Sequence, residues 1–143
     1  DGDGQNNPSD ILKLIKAYNK NTKTLLVGGI RVKRKDNFYK IASSKIANFV
    51  RNLILKDNCI DTGCSLKIFN KKIFLDLPFF DGIHRFLPAL YKSNGSINVY
   101  IEVDHRQRVY GVSKYGTLDR LYAGIRDIYK VIKIIKKIRN KNV

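Results

Sequence analysis

The chain has 143 residues, with 28 Lys and Arg against 12 Asp and Glu, a formal charge of +16, and 43% hydrophobic and 10% aromatic residues. That is enough for one globular domain and not for two, and the apolar share excludes a disordered chain. No stretch reaches the roughly 18 to 20 continuous apolar residues that cross a bilayer. The start has no basic-then-apolar leader and the sequence has no Met, so residue 1 reads as a cut in a longer chain.

In chain order, Asn7 and Pro8 suit an N-cap and a first helical position, and Ile11, Leu12, Leu14, Ile15 and Tyr18 predict a helix to about Lys20. A strand is expected over 24–30, interrupted by Gly28-Gly29. From Phe38 to about Leu55, the positions Ile41, Ala42, Ile46, Phe49, Val50 and Leu53 recur at helical spacing. Then come a short strand over 66–69, a short helix over 71–77, a helix over 84–92 despite Pro88, and an alternating strand over 97–103. The pattern is α/β, without internal repeats or low-complexity linkers.

Cys59 and Cys64 are too few for a disulfide framework, and with two His in the chain they match no zinc spacing, so both read as reduced thiols. The charge is uneven. The last 39 residues hold 11 basic and two acidic side chains, net +9 of the total +16. They open with a loop-like stretch over 105–116. A helical stripe follows: Leu118, Leu121, Tyr122, Ile125, Ile128, Tyr129, Ile132, Ile135 and Ile138. Arg120, Arg126, Lys130, Lys133, Lys137 and Arg139 occupy the opposite face. Two readings fit such a basic amphipath: a helix on an anionic membrane, with Leu121, Ile125, Ile128, Ile132 and Ile135 turned into it, or a terminal helix packed on the core.

Asp1-Gly2-Asp3-Gly4-Gln5-Asn6-Asn7-Pro8 sets two carboxylates two residues apart ahead of a helix. That spacing lets them share a hard divalent cation, which in turn neutralises a diphosphate; an acidic surface turn is the bland alternative. Together with the segments that follow, this stretch resembles the D-x-D-x-Q-x-x-P of family 2 glycosyltransferases, in the branch of dolichyl-phosphate mannose synthase and bacterial polyprenyl-phosphate glycosyltransferases. Gly29-Ile30-Arg31 is similar to the family's G-x-R, Lys40 with Ser44 to its R/K-x-x-x-S, and Asp61-Thr62-Gly63-Cys64 to its D-x-G-C/F. Asp81-Gly82-Ile83-His84-Arg85-Phe86-Leu87-Pro88 resembles F-D-G-x-H-R-F-x-P. His105-Arg106-Gln107-Arg108 with Gly111-Val112-Ser113-Lys114-Tyr115-Gly116 resembles H-R-x-R-x-x-G-x-S-K-Y-G.

The resemblance implies the C-terminal portion of a GT-A fold, a Rossmann-like mixed sheet, with a C-terminal amphipathic helix. Residues 1–116 would be the acceptor-side part, lacking the nucleotide-binding half that precedes the D-x-D, and 117–143 a membrane-interface helix. It further implies metal-dependent, inverting transfer of a sugar from a nucleotide-diphosphate donor to a polyprenyl phosphate, at the cytoplasmic face of a membrane. Asp1, Asp3 and Gln5 would hold Mg2+ or Mn2+ on the donor diphosphate. Lys40, Ser44, Arg108 and Lys114 would hold the acceptor phosphate, with Arg31, Arg108 and Lys114 neutralising charge during transfer. Asp61, His84 and Arg106 are further candidates; a turn residue and a structural hydrogen-bonder are the plain alternatives for Asp61 and His84. Such an acceptor is already an anion, so alignment and charge neutralisation suffice without a general base. Lacking its first half, the piece alone is expected to be inactive.

Two other classes remain open on sequence: a nucleic-acid module, with Tyr110, Tyr115 and Tyr122 stacking on bases, and a noncatalytic membrane-associated scaffold. No nucleic-acid motif appears, so no nucleic-acid partner is expected.

Overall fold

A computed structural model describes residues 5–32, 38–104, 106 and 117–141, with 38–41, 43, 44, 117–123 and 141 described by backbone alone. Three strands, β1 (Leu26–Val32), β2 (Lys67–Phe69) and β3 (Asn98–Asp104), form a mixed sheet in the order β2-β1-β3. β2 runs antiparallel to β1, pairing Leu26 with Phe69, while β3 runs parallel to it from Leu26↔Asn98 to Val32↔Asp104. The helices are α1 (Asp10–Tyr18), α2 (Phe38–Leu55), α3 (Lys71–Asp76), α4 (Leu87–Ser93) and α5 (Thr117–Lys141), with a 3-10 turn at Ile83–Arg85. This α/β order with a mixed sheet is compatible with part of a GT-A fold.

Successive strand side chains point to opposite faces, so β1 feeds two cores. Val27 packs with Leu14 of α1, Cys64 and Val103 on one face. Leu26 joins Phe86, Leu87, Leu90, Tyr91, Val131 and Ile135 on the other, under α4 and α5. Helix α1 starts two residues later than its Asn-Pro pair suggests: Ser9 is the N-cap and the helix begins at Asp10, while Asn7 and Pro8 form the turn before it, Asn7 Oδ1 accepting the Ser9 N–H and the Asn7 and Pro8 carbonyls accepting those of Asp10 and Ile11. Buried Asp10 ties this helix to the sheet, accepting the Asp104 N–H at 2.8 Å and pairing with Lys13 at 2.5 Å. The Lys13 hydrogen bond holds the Asp10 carboxyl below its ordinary pKa, against the effect of burial.

Two further expectations change. The 84–92 helix is split: His84 lies in the 3-10 turn and α4 starts at Leu87, with Pro88 in its first turn. Pro88 has no N–H to continue an earlier helical ladder, so a new helix begins there. The stripe of α5 expected to enter a membrane is instead largely taken up by the core. Val131 is fully buried, Ile135 nearly so, and Ile128, Ile132 and Ile138 pack against the same cluster, whereas Ile125 stays exposed. Leu121 lies outside the described side chains. Burying each such aliphatic side chain is worth about 1.5–3 kcal/mol, enough to choose the protein interior. A polar clasp fixes the helix further, since buried Asp127 accepts from Arg85 Nη2 at 3.0 Å. Gly82, at φ +82°, makes room for it: a Cβ there would sit 2.6 Å from that nitrogen.

Helix α2 is held by a different device. Its Arg51 forms a buried bidentate pair with Asp57, whose Oδ1 also accepts the Cys59 N–H and whose carbonyl accepts from Tyr100 Oη. Lys56 and Asn58 flank Asp57 at φ 52° and 59°, left-handed conformations that disfavour side chains by roughly 1–2 kcal/mol each. The Asp57 network offsets that strain. Replacing Asp57 by Ala strands the Arg51 charge in the interior and is expected to destabilise the chain by about 3–5 kcal/mol, read as a lowered urea midpoint. An unchanged midpoint would show that α2 is held by something else.

Candidate functional site

The C-terminal ends of parallel strands are where open α/β sheets bind ligands, and here the ends of β1 and β3 gather the sequence motifs. Arg31, next to last in β1, closes a fork on Asp61: Nε to Oδ2 at 2.7 Å and Nη2 to Oδ1 at 2.7 Å, while its backbone N–H donates to Oδ2 at 3.2 Å. Both side chains are largely shielded from water. Asp61 also makes a turn, because its carbonyl accepts the Cys64 N–H across residues 61–64.

Glycine is required in the middle of that turn. A Cβ at Gly63 would lie 2.7 Å from Arg31 Nη2, and one at Gly29 would lie 2.8 Å from Val103 Cγ2 and 2.9 Å from Cys64 Sγ. The G-x-R and D-x-G-C segments are therefore packed into one unit. The chain after the D-x-D arrives at the same end of the sheet: the Gln5 carbonyl accepts the Arg106 N–H at 3.0 Å, and Asn6 Nδ2 donates to Ser65 Oγ at 2.8 Å. The Arg106 side chain is exposed. Asp1, Asp3, Arg108 and Lys114, with the side chains of Lys40 and Ser44, lie outside the described residues. Lys40 and Ser44 fall in the first turns of α2 by their backbone.

Lys67 belongs to this cluster and was given no role from sequence, where nothing marks it among 28 basic residues. It starts β2, and its Nζ donates to the carbonyls of Cys64 and Thr62, bracing the turn that presents Asp61. Burial holds its ammonium below the ordinary lysine pKa, with Arg31 acting in the same direction and Cys64, Cys59 and Asp61 opposing. His84 has its pKa lowered by desolvation first, then by the charges of Arg85 and Lys67. Cys59 and Cys64 are buried with raised pKa, hence inert thiols. Among the described residues no group of three or more His, Cys, Asp or Glu is arranged to hold a metal ion.

Known proteins similar to the chain include enzymes named for placing sugars on polyprenyl phosphates. The dodecaprenyl-phosphate galacturonate synthase of Rhizobium johnstonii is 36% identical over 135 residues, covering 92% of this chain and 39% of that protein. The undecaprenyl-phosphate 4-deoxy-4-formamido-L-arabinose transferases of Edwardsiella ictaluri and Proteus mirabilis are 28% and 29% identical over 118 residues, 82% of this chain and 36% of each of theirs. The chain thus spans somewhat more than a third of the length of the curated relatives it matches. No protein-family model matches it, and no solved structure does.

The electrostatic coupling across the site is testable by NMR. The His84 ring is expected to titrate with a midpoint below the ordinary histidine value of 6.5, and Lys67→Met, which removes a nearby positive charge, should move that midpoint upward. A midpoint unmoved by the substitution would separate His84 from the Lys67 cluster.

Proposed function

We propose that the chain is the acceptor-side part of a family 2, GT-A glycosyltransferase that transfers a sugar from a nucleotide-diphosphate donor to a polyprenyl phosphate at the cytoplasmic membrane face. The observation that carries this is the union of the G-x-R and D-x-G-C segments through the Arg31–Asp61 fork, in a chain whose relatives share its sequence over most of its length. The relatives' names differ in sugar and in prenyl length but agree in a polyprenyl phosphate. A segment common to them is more naturally tied to the shared acceptor than to the varying sugar.

In this reading an acceptor phosphate oxygen attacks the anomeric carbon from the side opposite the nucleoside diphosphate. The new carbon–oxygen bond forms as the bond to the diphosphate breaks, and the configuration inverts. The acceptor is deprotonated already, so no proton has to be removed. Arg31, its plane set by Asp61, stabilises charge gathering on phosphate oxygens. Lys40, Ser44, Arg108 and Lys114 hold the acceptor phosphate and limit repulsion between it and the donor. Asp1, Asp3 and Gln5 form a hard oxygen donor set of the kind Mg2+ or Mn2+ takes, and they would hold that ion. When bound, it supplies positive charge to the leaving diphosphate. Arg106, whose backbone meets that of Gln5, joins the end of β3 to the donor-binding stretch.

Arg108→Ala, made in the full-length protein, is expected to lower turnover by about two orders of magnitude, on the roughly 3 kcal/mol scale of one electrostatic stabiliser, with little change in nucleotide affinity. Asp3→Asn should abolish metal-dependent transfer to polyprenyl phosphate and leave the fold intact. Normal turnover in both variants would remove the reading.

A further inference from the structure

Helix α2 has little apolar packing to hold its middle: Ile46, Phe49, Val50 and Leu53 are exposed, and only at its end does Leu55 join the core. Polar contacts tie its inner side instead. The Arg51–Asp57 pair anchors the C-terminal end. Nearer the start of the helix, Asn48 Oδ1 accepts from Thr62 Oγ1 at 2.8 Å, a half-buried hydrogen bond. Asn48 follows Ser44 by four residues and Lys40 by eight, so the three positions fall on one face of the helix. At about 1.5 Å per residue, Ser44 lies about 6 Å and Lys40 about 12 Å from Asn48 along the axis. The face tied to Thr62 is therefore the one that carries the two helix positions proposed for the acceptor phosphate.

Thr62 adjoins Asp61 and is held from two directions. Its hydroxyl meets α2, while its carbonyl accepts from Lys67 Nζ at 3.4 Å. On its far side the turn has no slack, because a Cβ at Gly63 would lie 2.7 Å from Arg31 Nη2. A displacement of Thr62 is thus passed to the fork between Arg31 and Asp61. We infer that Asn48 is a positioning residue: through Thr62 it sets the helix that carries Lys40 and Ser44 at a fixed distance from the Arg31–Asp61 fork, so that an anion held on the helix and the guanidinium at the fork stay in register. The inference rests on the proposed function for what that register serves, and on the hydrogen bonds alone for the register itself. An amide suits the place. A carboxylate would accept the same hydroxyl, but would bring a negative charge within about one helical turn of a phosphate. Misplacing a reacting group by about 1 Å costs on the order of a hundredfold in rate, so loss of this tie is read in turnover and not in affinity.

In the full-length protein, Asn48→Ala and Thr62→Val each remove the hydrogen bond, the second with little change of shape. Each should lower kcat for transfer to undecaprenyl phosphate, from the nucleotide sugar that the wild-type protein turns over, by roughly tenfold or more, with the acceptor KM nearly unchanged. Thr62→Ser, which keeps the hydroxyl, should restore turnover. The double variant should be no slower than the slower single one, since both substitutions cut the same contact. A second readout needs no donor. In protein labelled at arginine, the Arg31 Nε–H resonance should shift and exchange with water faster in Asn48→Ala and Thr62→Val, and stay in place in Thr62→Ser. The inference is overturned by an unchanged kcat, by an Arg31 resonance that does not move, or by a rise in acceptor KM at constant kcat, which would make Asn48 a binding contact. A lowered urea midpoint with both site readouts unmoved overturns it too, leaving the bond a part of the scaffold only. A full-length protein that transfers no sugar to the lipid overturns the proposed function instead, and the Arg31 resonance then decides the positioning by itself.

Discussion

The fork between Arg31 and Asp61 is the contact on which the arrangement of the site depends. A guanidinium closing on a carboxylate through two parallel hydrogen bonds has one plane and one direction of approach, so it fixes the end of β1 relative to the 61–64 turn in rotation as well as distance. Lysine in place of Arg31 would supply the charge without the plane. Around this contact the smaller constraints fall into order. Gly63 leaves room for the guanidinium, Gly29 lets Cys64 and Val103 close over β1, and Lys67 gathers the turn's carbonyls. Half-burial of Lys67 disfavours its charge, and the carbonyl oxygens it meets offset part of that penalty.

A second constraint governs α2. Left to the hydrophobic effect alone, a helix with Ile46, Phe49, Val50, Leu53 and Ile54 on one side would roll that side inward. Rolling it would carry Arg51 into solvent and leave Asp57 charged and unpaired in the interior, a loss of several kcal/mol. Arg51 also lies 5.7 Å from the centre of the Phe86 ring, whose other neighbour, Arg85, holds α5 through Asp127. Phe86 is thus a shared platform for two helices of different character: α5 turns Ile128, Val131, Ile132, Ile135 and Ile138 in, whereas α2 turns in Leu55 at its end and leaves Ile46, Phe49 and Leu53 out.

That contrast explains what was legible in the sequence. The helical period of residues 38–55 and 117–141 gave both helices correctly, because spacing records which residues share a face. It does not record what the face meets. For α5 the core won, and for α2 a buried ion pair six residues apart in sequence reversed the usual outcome, which no periodicity reveals. Strand positions were readable to within about two residues, since alternation persists past the last paired residue. At the site, the motifs located Arg31 and Asp61 separately, but their partnership spans 30 residues and appears only once β1 and the turn are folded together. Lys67 was invisible for the opposite reason: in so basic a chain, a single lysine is distinguished only by the carbonyls it finds.

The polar inner side of α2 and its apolar outer side have a joint consequence. Asn48 is bonded to Thr62, and Thr62 adjoins Asp61, so one short chain of contacts runs from the helix to the Arg31 fork. A helix with its side chains is about 10–12 Å across. The outer face of α2 therefore lies about one helix diameter from the turn that orients Arg31. The exposed cations of α5, among them Lys130, Lys133 and Lys137, act over a different range. Exposed charges are screened beyond about 10 Å at 0.1 M salt, so they bear on the approach of an anion, whereas the shielded Arg31–Asp61 fork keeps its strength because water and salt are largely excluded from it.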